Sequence, residues 1–146
     1  MPLGVLQHYT IEPSNLKKTV KFYCEVLGLE DGDRPPLGFP GNWLYSGGVA
    51  TVHILGPRKP REGIVVRGTK KKFKDTGRFD HIAFSGTDID GVRKKLKAKK
   101  VKFREQTIPR TGGQQIFLYD PDGVGVELNF DPSETPADKR AEAAKR

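Results

Sequence analysis

The stretch FDHIAFSGTDIDGVRKKLKAKKVKFREQTIPRTGGQQIFLYDPDGVGVELNF, residues 79–130, holds the pattern on which the fold rests. Phe79 to Ser85 reads as a strand on which Ile82 and Phe84 oppose His81, and Asp88 to Lys99 sets Ile89, Val92 and Leu96 on one side of a helix. Lys102 to Ile108, Gln114 to Tyr119 and Val124 to Phe130 read as three more strands, the last two joined by the turn Asp120-Pro121-Asp122-Gly123. The order is β-α-β-β-β.

The same order runs through the preceding part of the chain. GVLQHYTI (4–11) reads as a strand, and Asn15 to Leu27 as a helix with Leu16, Val20, Tyr23, Cys24 and Leu27 as its apolar stripe. Ser14 is the expected N-cap and Gly28 the expected stop. Short strands follow around Glu30 to Asp33, Asn42 to Tyr45 and Val49 to Leu55, with the irregular loop RPPLGFPG (34–41) between the first two. The expected class is α+β: one domain over 1–130, with module one at 4–56, a connector at 57–78, module two at 79–130 and a charged tail at 131–146.

Composition narrows the function classes. No apolar run approaches the ~20 residues of a membrane span, and the N-terminus has no signal-like stretch, so a cytoplasmic protein with no membrane partner is expected. Cys24 is the single cysteine, which leaves metal binding to nitrogen and oxygen ligands. The net charge of +8 comes largely from 58–78 and 93–104, a Pro- and Gly-broken connector and one helix face. Those positions read as solvated surface rather than a nucleic-acid interface, with attraction of an anionic substrate as the other use of the charge.

His8 and His81 lie 73 positions apart, and His53 and Glu127 lie 74 apart, so the three histidines and one carboxylate occupy repeat-related positions. On their strands Val52 and Ile54 oppose His53, Ile82 and Phe84 oppose His81, and Val126 and Leu128 oppose Glu127. Four such residues on the sheet face away from the helices point to one divalent metal; a histidine-lined pocket without metal is the alternative. Imidazole with carboxylate suits Zn, Fe, Ni, Co or Mn better than Ca or Mg.

FYCEVLGLE (22–30), GFPGNWLYSGG (38–48) leading into VHIL (52–55), FDHIAF (79–84) and FLYDPDGVGVELNF (117–130) resemble the vicinal oxygen chelate superfamily. That group includes glyoxalase I, methylmalonyl-CoA epimerase, extradiol dioxygenases, and fosfomycin- and bleomycin-resistance proteins. The resemblance implies paired βαβββ modules forming an open, cup-shaped mixed sheet, with metal ligands His8 and His53 from module one and His81 and Glu127 from module two. In glyoxalase I the position of His53 is a glutamate, so the usual carboxylate pair is absent here. The loop that covers the cup in relatives corresponds to the region of Phe39, Trp43 and Tyr45, expected to line an apolar substrate pocket, while Arg110 is a candidate contact for an anionic group.

The leading functional expectation is a glyoxalase-I-like lyase or isomerase in which two oxygens of a small substrate chelate the metal and an enediolate is stabilised, with Glu127 and His53 as catalytic bases. The alternative is an extradiol-type dioxygenase using the His8, His81 and Glu127 triad. A metal-dependent transferase and a bleomycin-resistance-like drug-binding protein come behind both. A homodimer is expected, because a lone cup leaves open strand edges and relatives commonly pair modules across a two-fold axis. Light scattering at micromolar concentration should give twice the chain mass, and a monomer would contradict this.

Overall fold

The computed structural model describes residues 4–59, 76 and 79–145. It divides into two compact units, Met1–Phe73 and Lys74–Arg146. The basic connector expected at 57–78 lies almost entirely outside the described residues.

Unit one contains β1 (Tyr9–Ile11), α1 (Leu16–Glu25), β2 (Glu30–Gly32), β3 (Gly41–Ser46) and β4 (Val49–Leu55). Its sheet order is β1-β4-β3-β2, with β1 parallel to β4 and the other pairs antiparallel. Unit two contains β5 (His81–Gly86), α2 (Ile89–Ala98), β6 (Phe103–Thr107), β7 (Gln114–Tyr119) and β8 (Gly125–Phe130). Its order, β5-β8-β7-β6, with β5 parallel to β8, repeats the first topology strand for strand. The expected α+β class and the βαβββ repeat are both present.

Alternation sorts the faces as expected. Leu44, Val52 and Ile54 are fully buried with Tyr23 of α1, which packs on β2, β3 and β4. Ile116, Leu118, Val126 and Leu128 are buried in unit two together with Ile89 and Leu96 of α2. The apolar face of each sheet therefore forms the core and leaves the opposite face for polar side chains.

Two local expectations need correction. The first strand is three residues long, not eight, and Val5 and Leu6 stay exposed. Extending the β1–β4 register backward sets Val5 and Gly4 opposite Gly48 and Gly47, whose φ values of 79° and 57° turn the chain away from any ladder. The cap of α1 is Asn15, not Ser14: its Oδ1 accepts from the Lys18 N–H at 3.0 Å. Gly28 does end that helix at φ 79°, with the Leu29 N–H bonded to the Tyr23 carbonyl at 3.0 Å.

The charged tail forms the short, mostly exposed helix that its composition allows, and it is anchored at a few points. Pro132–Glu134 forms a 3₁₀ turn and Ala137–Ala144 forms α3, with Thr135 and Ala143 buried. The Ala143 carbonyl accepts from the Arg110 N–H at 2.9 Å, and Glu134 Oε2 accepts from the Ile89 N–H at 2.7 Å. Glu134 thus satisfies an otherwise unpaired donor in the first turn of α2, where a negative charge also suits the helix dipole. Composition does not reveal these anchors, because they are one carboxylate, one main-chain carbonyl and small buried side chains. Among the described residues no helix is long and apolar enough to cross a membrane.

Candidate metal centre

In unit one the β3–β4 register sets Trp43 directly opposite His53, and alternation puts both on the face away from α1. The two rings stack at 4.2 Å and 9°, and the His8 ring stacks with that of His53 at 3.9 Å and 11°. Two of the four expected ligands therefore touch. His53 Nε2 lies 3.1 Å from the Ala50 carbonyl, which can only accept, so Nε2 carries the proton and Nδ1 keeps a lone pair. Burial, followed by the neighbouring His8, holds His53 below the usual imidazole range, against the Ala50 hydrogen bond. His8 Nδ1 lies 2.9 Å from Gln7 Oε1, which leaves Nε2 of His8 free.

In unit two, parallel pairing of β5 with β8 brings His81 beside Glu127, and His81 Nε2 lies 2.8 Å from Glu127 Oε2. The approach depends on Gly125, the register partner of His81, where a Cβ would sit 2.5 Å from the Asp80 carbonyl oxygen. Both side chains are held from behind. His81 Nδ1 donates to Asp80 Oδ2 at 2.6 Å, and Glu127 Oε1 accepts from Gln115 Nε2 at 2.7 Å. The Gln115 amide also donates to Asn129 Oδ1 at 3.0 Å, and its own oxygen accepts from Gln106 Nε2 at 2.7 Å. Glu127 is buried, and with His81, Arg104 and Phe117 it lines a cleft of about 390 Å³.

Residues 5–128 match the family model described as the Glyoxalase/Bleomycin resistance protein/Dioxygenase superfamily. The chain belongs to this superfamily. Among curated relatives it is 33% identical over 135 residues to bovine mitochondrial methylmalonyl-CoA epimerase, covering 86% of this chain and 74% of the relative. It is 30% identical over 130 residues to a probable lactoylglutathione lyase of Synechocystis, covering 84% of this chain and 92% of the relative. Among solved structures, Agrobacterium tumefaciens lactoylglutathione lyase superposes with a TM-score of 0.63 at 19% identity, covering 92% of this chain and 98% of that one. The Listeria monocytogenes fosfomycin resistance protein FosX gives 0.65, also at 19%, covering 95% and 99%. At such identity the structures establish the shared superfamily fold and no more.

The donor set fits a divalent metal of the superfamily's nitrogen-and-oxygen kind. His81 and Glu127 offer one nitrogen and one oxygen donor, and their Nε2···Oε2 separation of 2.8 Å is one that metal–ligand lengths of about 2.0–2.2 Å accommodate. Asp80 behind His81 and Gln115 behind Glu127 are the partners that ligating imidazoles and carboxylates use to fix tautomer and orientation. The contacts seen are His8 with His53 and His81 with Glu127, and among the described residues no group of three or more His, Cys, Asp or Glu side chains is gathered as a metal would need.

The other expected site residues are placed as follows. Trp43 lies on the ligand face, against His53. Phe39 is not the wall of a purely apolar pocket, because Arg34 and Arg58 lie over its ring at 5.0 and 5.9 Å from the centroid. Tyr45 is tied down by its hydroxyl, which donates to the Asp33 carbonyl at 2.7 Å. Arg110 sits at φ 67° in an exposed turn bonded to α3, away from the cleft lined by His81 and Glu127. Sequence reading missed Asp80, Gln106, Gln115 and Arg104; for Gln106 and Gln115 the signal was alternation, which puts Gln115 on the face of Glu127 once β7 and β8 are paired in register.

Gln115→Leu should keep the fold and weaken metal binding by about 10- to 100-fold, the usual effect of removing a group that holds a ligand. Competition against a chelating dye measures it. Unchanged affinity would show that Gln115 does not set the orientation of Glu127.

Proposed function

We propose that this chain is a divalent-metal-dependent lyase or isomerase acting on a small oxygenated substrate, with His8, His81 and Glu127 as the metal ligands and His53 as the second base. The observation that carries the reading is the His81–Glu127 pair, 2.8 Å apart and backed by Asp80 and Gln115. Lyases and an epimerase among the curated relatives support the same class. When bound, such a metal supplies Lewis acidity toward two substrate oxygens, which acidifies the carbon next to them.

The chain's own residues do the remaining work. His53, kept neutral by burial and by His8, accepts a proton at Nδ1, while Nε2–H stays on the Ala50 carbonyl. Stacking on Trp43 and His8 holds that ring in one plane. Gln115 occupies Glu127 Oε1, so the carboxylate presents Oε2 beside His81.

The experiment is turnover of metal-loaded protein with hemithioacetals, with 2-substituted malonyl thioesters and with catechols plus dioxygen. Isomerisation of one of the first two, falling at least 100-fold in Glu127→Gln, is the expected result. Ring cleavage of a catechol alone would replace this reading with the dioxygenase, which needs only His8, His81 and Glu127.

A further inference from the structure

Arg104, Phe117 and Glu127 are register partners across β6, β7 and β8, so their side chains form one row on one face of the second sheet. The Arg104 guanidinium lies over the Phe117 ring, 4.0 Å from its centroid, and the His81 ring meets the same phenyl edge-on at 6.4 Å. Arg104, Phe117, His81 and Glu127 all line the cleft of about 390 Å³. Within it Glu127 is already engaged by His81 and Gln115, and Asp80 by His81. Among the described residues no carboxylate pairs with Arg104.

We propose that Arg104 is a specificity-determining residue that binds a carboxylate or phosphate group of the substrate, in the cleft it shares with His81 and Glu127. Stacking on Phe117 fixes the guanidinium plane and leaves its edge of N–H donors open, the fork that matches two oxygens of an oxyacid. Two strand spacings, about 10 Å, separate the Arg104 and Glu127 backbones, and the arginine leans over the intervening residue. The substrate class that fits is a small anionic molecule whose acid group lies a few bonds from the oxygens held at His81 and Glu127. This rests on His81 and Glu127 as metal ligands, and the test separates the two claims.

Zinc-loaded full chain is titrated calorimetrically with catechol and with 3,4-dihydroxybenzoate, which add the same chelating oxygens with and without a carboxylate. The carboxylate should tighten binding at least fivefold in the native chain. That advantage should vanish in Arg104→Met, with catechol affinity and zinc content unchanged within twofold. An equal advantage in both proteins, or none in the native chain, overturns the proposal. Inorganic phosphate that displaces 3,4-dihydroxybenzoate but not catechol extends the class to phosphate esters, and phosphate without effect restricts it to carboxylates. If neither protein takes up zinc, the ligand reading alone fails. Phosphate binding to the metal-free chains then decides the role of Arg104: a threefold or larger loss in Arg104→Met retains it, and equal binding overturns it.

Discussion

Glu127→Ala and His81→Ala should each lower metal affinity by more than about 100-fold, beyond the 10- to 100-fold usual for groups that only support a ligand. Each change removes one half of the 2.8 Å pair and leaves the group that held it, Gln115 behind Glu127 or Asp80 behind His81, without a task. His53→Ala should cost much less, about 10-fold, because His8, His81 and Glu127 still supply two imidazoles and a carboxylate. Turnover should fall in all three, since His53 Nδ1 is the proposed proton acceptor. The fold should persist, because the core of each unit lies on the opposite sheet face. Plasma spectrometry on the folded variants reads the result. A loss in His53→Ala as deep as the others would favour an obligate four-ligand centre.

Deleting residues 132–146 should destabilise the chain by about 2–4 kcal/mol. The deletion strips a charged acceptor from the Ile89 N–H, worth about 1.5–3 kcal/mol, and a main-chain acceptor from the Arg110 N–H, worth about 1 kcal/mol. For a chain of this size that corresponds to a fall in melting temperature of roughly 10 °C. Composition alone supports the opposite outcome, a tail that can be removed without effect. A truncated chain melting within about 2 °C of the full one would show that the docking seen for Glu134 and Ala143 contributes little.

How much was legible in the residues follows from which physics each feature uses. The two βαβββ modules were readable because burial of one sheet face writes a period-two pattern, as in Val52, His53 and Ile54, and because the second module repeats the first. His8, His53, His81 and Glu127 were singled out by their repeat-related spacing and the same alternation. Element ends were less legible: β1 pairs with β4 only from Tyr9, although β4 itself runs back to Val49, and nothing in GVLQHYTI marks that end. The supporting residues were invisible for a related reason. Gln115 and Arg104 gain their meaning only from lateral register, which sets them beside Glu127 and Phe117. The tail hid its docking in a carboxylate that caps another helix and in a carbonyl, neither of which marks a sequence as buried.

The most direct test of the metal centre is elemental analysis of the full chain purified without chelator and then exposed in turn to Zn, Fe, Ni, Co and Mn. The account predicts close to one tightly held ion per chain for at least one of these metals, displaced by none of the wash steps and lost in Glu127→Ala. A folded chain that retains no ion from any of the five would contradict it.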